Sequence, residues 1–162
     1  MRPVSYIFGL ASLMAIAALS VSRAAEPEAV IAVVVAANHA KPPKNNEVAL
    51  IFRRKKLFWA DGTKVNPVNL PANDLLRRTF SQVVLGASPE DLEAYWNGMY
   101  FHGVSPPFVL SSEEAVLRFV AQTPGAIGYV SYCKVDSRVK IVSLFTASGP
   151  VGEGAARAAC AR

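Results

Sequence analysis

The apolar positions of this chain change period several times, and each change marks an element. Residues 30–37 read V-I-A-V-V-V-A-A, a short β-branched run with no polar interruption. Such a run suits a strand buried on both faces. Residues 38–46 are polar, contain Pro42-Pro43 and read as a loop. Val48, Ile51 and Phe52 then lay one apolar stripe on a helix that Asn46 would cap and that would reach about residue 57. It ends in Arg53-Arg54-Lys55-Lys56. Cations suit a helix C-terminus, and the run reads as a solvated helix end rather than a binding patch. Asp61-Gly62 is a turn signal. Val65, Val68 and Leu70 form a short strand in which Pro67, lacking a donor, predicts an edge or a strand end. Leu76, Phe80, Val83 and Val84 predict a helix from about Asp74 to a stop at Gly86.

A third helix should open at Ser88-Pro89-Glu90-Asp91, a cap residue, a first-position proline and two acids. Leu92, Tyr95, Trp96, Met99 and Tyr100 follow at helical spacing and read as a core face. Residues 101–110, with Gly103 and Pro106-Pro107, read as a loop. Ser111 and Glu114 have capping-box spacing at the head of a fourth helix, which turns Val116, Phe119 and Val120 inward and ends at Thr123-Pro124-Gly125. Residues 126–132 and 139–145 are strands separated by a polar turn at Asp136-Ser137. From residue 147 onward the chain is rich in Ala and Gly with little to bury, which predicts a flexible tail over 147–162.

Strands mixed with helices of this length define an α/β fold with helices packed on a sheet. The length fits one domain. Segment 1–24 has the layout of a secretory signal: Arg2, an apolar run over 7–21, and Ser22-Arg23-Ala24 before a cut. The apolar run is short for a membrane span. The expected organisation is therefore a signal over 1–24, an α/β domain over 25–146 and the tail over 147–162. The product would be exported, periplasmic in a bacterium, with no transmembrane span once the signal is removed. The formal charge is +5, from 17 Lys+Arg and 12 Asp+Glu. Without the signal, 15 basic residues face 12 acidic ones, a charge of +3. That is too mild to argue for nucleic acid.

Candidate chemistry centres on residues 65–80. A strand, a proline-punctuated turn and a helix start deliver Asn73 and Asp74 to a helix N-terminus, with Arg77 one turn on. Free N–H groups and the helix dipole there can hold an anion. Cys133 and Cys160 leave two readings open. In an oxidising compartment they could pair; alternatively, Cys133 is a small buried residue and Cys160 rides in the tail. His39 and His102 lie far from each other and from both cysteines, so no zinc spacing exists. No phosphate loop, dinucleotide fingerprint or nucleophile elbow occurs. The sequence predicts no cofactor, no metal and no enzyme.

Phe52-Arg53-Arg54-Lys55, Trp59-Ala60-Asp61-Gly62, Val65-Asn66-Pro67-Val68 and the run from Thr123-Pro124-Gly125 to Gly128-Tyr129-Val130 occur in an order that resembles the phosphate-binding proteins of bacterial ABC transporters. The resemblance implies one lobe of the type 2 periplasmic-binding-protein fold, a mixed sheet flanked by about four helices. It also resembles the short, one-lobe exported proteins of that kind. It implies phosphate, or another small oxyanion, as ligand at Asn73, Asp74 and Arg77. Two departures stand out. Leu70-Pro71-Ala72-Asn73-Asp74 carries no Ser, Thr or Gly where that family has hydroxyls and glycines around phosphate, and Arg54 stands where it has a glycine. Tight phosphate capture is therefore not expected. The two functions to weigh are weak oxyanion binding by a solute-binding-like protein, and docking to a periplasmic or membrane protein by a lobe that transports nothing.

Overall fold

The computed structural model of the chain describes residues 28–39, 41 and 43–161. The predicted signal lies outside them. Six strands form one sheet: β1 (Ile31–Ala36), β2 (Asn66–Asn69), β3 (Phe108–Val109), β4 (Ala126–Ser131), β5 (Val139–Thr146) and β6 (Gly149–Pro150). Their spatial order is β3-β2-β4-β1-β5-β6. β2 runs parallel to both β3 and β4, whereas β1 is antiparallel to β4 and β5, and β6 is antiparallel to β5. The sheet is mixed, as the α/β expectation required.

β1 sits inside the sheet with Ile31 to Val35 fully buried, which is what an uninterrupted apolar run demands. Helices cover both faces. Gly128 on β4 faces α4 (Glu113–Gln122) so closely that a Cβ there would lie 2.5 Å from a methyl of Val116. The next residue, Tyr129, points to the opposite face. There it stacks on Phe80 of α2 (Leu75–Phe80), centroids 3.9 Å apart, and both rings meet Phe52 of α1 (Asn45–Phe52). Gly125 starts β4 with φ +71°, and its carbonyl accepts the Trp59 indole N–H at 3.0 Å.

Several expectations need correction. α1 stops at Phe52 because Arg54 takes φ +58° and ends the helix; Lys44, not Asn46, precedes its first turn, with its N–H on the Glu47 carboxylate at 3.0 Å. The basic run is also not simply solvated. Arg53 donates to the Leu85 carbonyl, Arg54 to the Val65 carbonyl at 3.2 Å, and Lys56 pairs with Glu47. β2 is not an edge. β3 pairs it only at Val68 and Asn69, so Pro67 owes no hydrogen bond on that side. β3 itself lies in a segment expected as loop; its two residues carry too little pattern to be read as strand. α2 continues as a wider π-turn (Ser81–Leu85) before Gly86 ends it at φ +68°.

α3 (Glu93–Phe101) starts later than its cap signal, because Ser88 and Asp91 close a turn on each other first. Leu92 is buried, but no residue of α3 itself is, so the aromatic stripe is only half core. Ser112, not Ser111, caps α4, accepting the Ala115 N–H at 3.2 Å. The segment expected as a flexible tail is folded. β6 is followed by α5 (Glu153–Cys160), whose Ala156 is buried. The cysteines are joined: Cys133, on a short turn after β4, and Cys160 form a disulfide with Cα atoms 5.5 Å apart. The bond ties the end of α5 to the turn after β4.

Candidate functional site

In an open sheet of this kind, ligand chemistry gathers outside the carboxyl ends of the parallel strands. β2 ends at Asn69 and the chain crosses Leu70-Pro71 to α2, so all three predicted site residues lie at that end. The turn is tight, with the Asp74 N–H on the Pro71 carbonyl at 3.0 Å.

Asp74 is the N-cap of α2. One carboxylate oxygen accepts from the Leu76 N–H at 2.8 Å and from the Arg77 N–H at 3.2 Å. The N–H groups expected to cradle an anion are therefore occupied from within, by a group that is itself negative. Leu75 stands 77% exposed at the tip of the turn. Asn73 is exposed beside it.

Arg77 is the surprise of the site. It is only 7% exposed, and its Nε and one terminal nitrogen have no hydrogen-bond partner. No carboxylate among the described residues forms an ion pair with it. It lies close enough to Tyr129 for its charge to act on the phenol. Burial raises the Tyr129 pKa, and the Arg77 charge partly offsets that. The Tyr129 hydroxyl accepts from the Leu70 N–H and donates to the Asn69 side-chain carbonyl, both at 3.3 Å. From the sequence, Tyr129 is placed only within the strand expected over 126–132. The available signal was a polar-tipped aromatic inside a fully buried run, which needs a partner for its hydroxyl.

A hollow of about 400 Å³ opens beside Leu75 and Leu76. Its charged lining residues, Glu28, Asp74 and Glu113, are all carboxylates. Glu113 holds the Ser131 N–H at 2.5 Å and Lys134 at 2.8 Å, and Glu28 accepts from the Ser148 N–H at 2.8 Å. The pocket at the helix end is thus acidic, the wrong sign for an anion. Among the described residues no three His, Cys, Asp or Glu side chains gather to hold a metal. His39 packs against Trp59, and His102 lies in an exposed loop.

No family model and no curated protein matches the sequence. Solved structures do match in fold. One is described as a phosphate ABC transporter substrate-binding protein with bound phosphate, from Clostridium perfringens: TM-score 0.57, 20% identity, covering 71% of this chain and 45% of that one. An ABC-type phosphate transport receptor from Vibrio cholerae gives 0.57 and 21% over 71% and 46%. A third match is to a possible phosphate binding protein from Planctomyces limnophilus, at 0.51 and 18% over 72% and 42%. The fold is therefore that of phosphate-type substrate-binding proteins. The chain spans less than half the length of these structures and has the architecture of a single lobe.

Proposed function

We propose that this chain is an exported, non-catalytic binding module of the solute-binding type, which keeps one lobe of the phosphate-binding-protein fold and docks a periplasmic or membrane protein through the strand-end face around Leu75. The observation that carries this reading is Asp74 capping its own helix. The two amides that would meet an oxyanion are taken, and the hollow beside them carries three carboxylates. Leu75, 77% exposed at the start of α2 beside the exposed Asn73, is the surface this reading places at the contact. The test is crosslinking from a photoreactive residue replacing Leu75 in the native envelope. A discrete crosslinked protein, lost when the probe sits on Asn97 of the exposed α3 surface, supports docking. No crosslink beyond that of the Asn97 probe would sink it.

A second reading, weak contact with phosphate or another small oxyanion at Asn73 and Arg77, is favoured by the unpaired guanidinium of Arg77. A buried cation without a counter-charge is costly, and an anion would relieve it. Millimolar phosphate would then raise the melting temperature, and Arg77→Ala would remove the rise. A flat response to phosphate, sulfate and carboxylates discards this reading and leaves the first standing.

A further inference from the structure

A second cavity lies at the opposite end of the parallel strands. It measures about 490 Å³ and opens between the start of β2, the start of β3 and the segment after α1. That volume falls in the range of small-ligand sites. Its charged lining residues are Arg54 and Lys64, and no carboxylate lines it. Its apolar walls come from Leu57, Phe58, Pro107 and Phe108, of which Phe58 is 56% and Phe108 77% exposed.

Arg54 makes this cavity more than a surface dent. It holds a left-handed backbone, φ +58°, a conformation that glycine adopts without strain and a β-carbon resists. Its Nη1 donates to the Val65 carbonyl at 3.2 Å, which fixes the guanidinium at the cavity wall. Its Nε is buried with no acceptor. Neither Arg54 nor Lys64 forms an ion pair among the described residues. Two unpaired cations, one held rigidly, stand against exposed aromatic and proline surfaces. That combination complements a ligand with an anionic head and a flat apolar body.

We propose that this cavity binds a small aromatic carboxylate, its head on Arg54 and Lys64 and its ring against Phe58 and Phe108. The site is independent of the Leu75 face and of Arg77. Benzoate is the probe, followed by amide NMR shifts on the isotope-labelled protein. Benzoate is expected to move the signals of residues 57–58, 64–66, 103–105 and 108, while benzylamine, with the same ring and opposite charge, moves none. Arg54→Gly should weaken benzoate about tenfold, as loss of a charge-assisted contact does, and should leave the fold intact because glycine relieves the left-handed strain. Lys64→Gln is the second variant, expected to weaken binding without touching the backbone. Equal shifts with benzylamine, no shifts with benzoate, or shifts confined to residues 73–77 would overturn the proposal.

Discussion

At the residue scale, Asp74 does two things that a single substitution can separate. It caps α2 and it places a negative charge at the helix end. Asp74→Ala removes both and should cost about 1 kcal/mol of stability, the usual loss for an N-cap. Asp74→Ser keeps an oxygen for the amides and removes the charge. It should stay close to wild type in urea midpoint, and it tests whether charge alone repels phosphate. If Asp74→Ser then melts higher in phosphate while the parent does not, the negative charge of Asp74 is the reason the parent ignores anions. Equal destabilisation by both substitutions would contradict the cap. The glycines of the β4 run make a sharper case. A methyl at Gly125 would lie 2.1 Å from the Lys64 carbonyl at a position with φ +71°, and one at Gly128 would strike Val116 at 2.5 Å. Overpacking of this kind typically costs about 1–3 kcal/mol. Gly125→Ala should exceed Gly128→Ala, because a carbonyl cannot swing aside as a valine methyl can. Urea unfolding of both variants checks the order, and near-wild-type stability for Gly125→Ala would refute the contact.

At the element scale, the sequence was legible where pattern and packing agree. The uninterrupted apolar run became the buried β1, and Gly86 and Gly125 stopped and started elements with positive φ. It misled where a long-range constraint decides. Residues 153–160, E-G-A-A-R-A-A-C, bury one alanine and look like a loose end, and nothing local says that Cys160 will reach Cys133. β3 was missed for a similar reason, since two residues pair only because β2 is already in place. The site followed the same division. The position of Asn73, Asp74 and Arg77 at a helix start was readable from turn and cap signals, whereas the buried place of Arg77 beside Tyr129, 52 positions later, is set by long-range packing. The disulfide closes a separation of 27 residues, for which the chain-entropy model gives about 3–4 kcal/mol. Reduction should therefore lower the melting temperature markedly. It should also free α5 first, seen as loss of amide-exchange protection over 153–160 before the sheet opens. Protection of α5 that survives reduction would show that packing, not the bond, holds it.

At the scale of the whole molecule, charge pairs join elements that are distant in the chain. Arg138, on the turn before β5, grips Glu114 of α4 through two bonds of 2.8 Å and Asp136 at 2.7 Å. Arg78 of α2 reaches Glu90 at 2.6 Å, and Lys56 closes onto Glu47 of α1. These bonds lower the carboxyl pKa values. Arg138 does so for Glu114 and Asp136, Arg78 for Glu90, Lys56 and then the Lys44 amide for Glu47, and the Thr63 amide for Asp61. A carboxylate whose folded pKa lies below its unfolded value stabilises the fold fully above that unfolded value, near 4. The contribution is lost as pH falls through the lower folded values. Lys134, raised by Glu113, and Tyr129, raised by burial, act at the other limit. Each stabilises fully below its unfolded value, near 10, and the contribution disappears as pH climbs through the folded one. The urea midpoint should thus be level from about pH 5 to about pH 9, and fall on both sides. The acid limb rests on exposed pairs, so half-molar salt should flatten it. The alkaline limb includes a buried phenol, which salt screens little. Tyr129→Phe should remove part of it, while leaving the Leu70 amide and the Asn69 side chain without that partner at every pH. A midpoint that rises between pH 5 and pH 3, or an alkaline limb that Tyr129→Phe leaves unchanged, would show that these groups do not set the stability of the lobe.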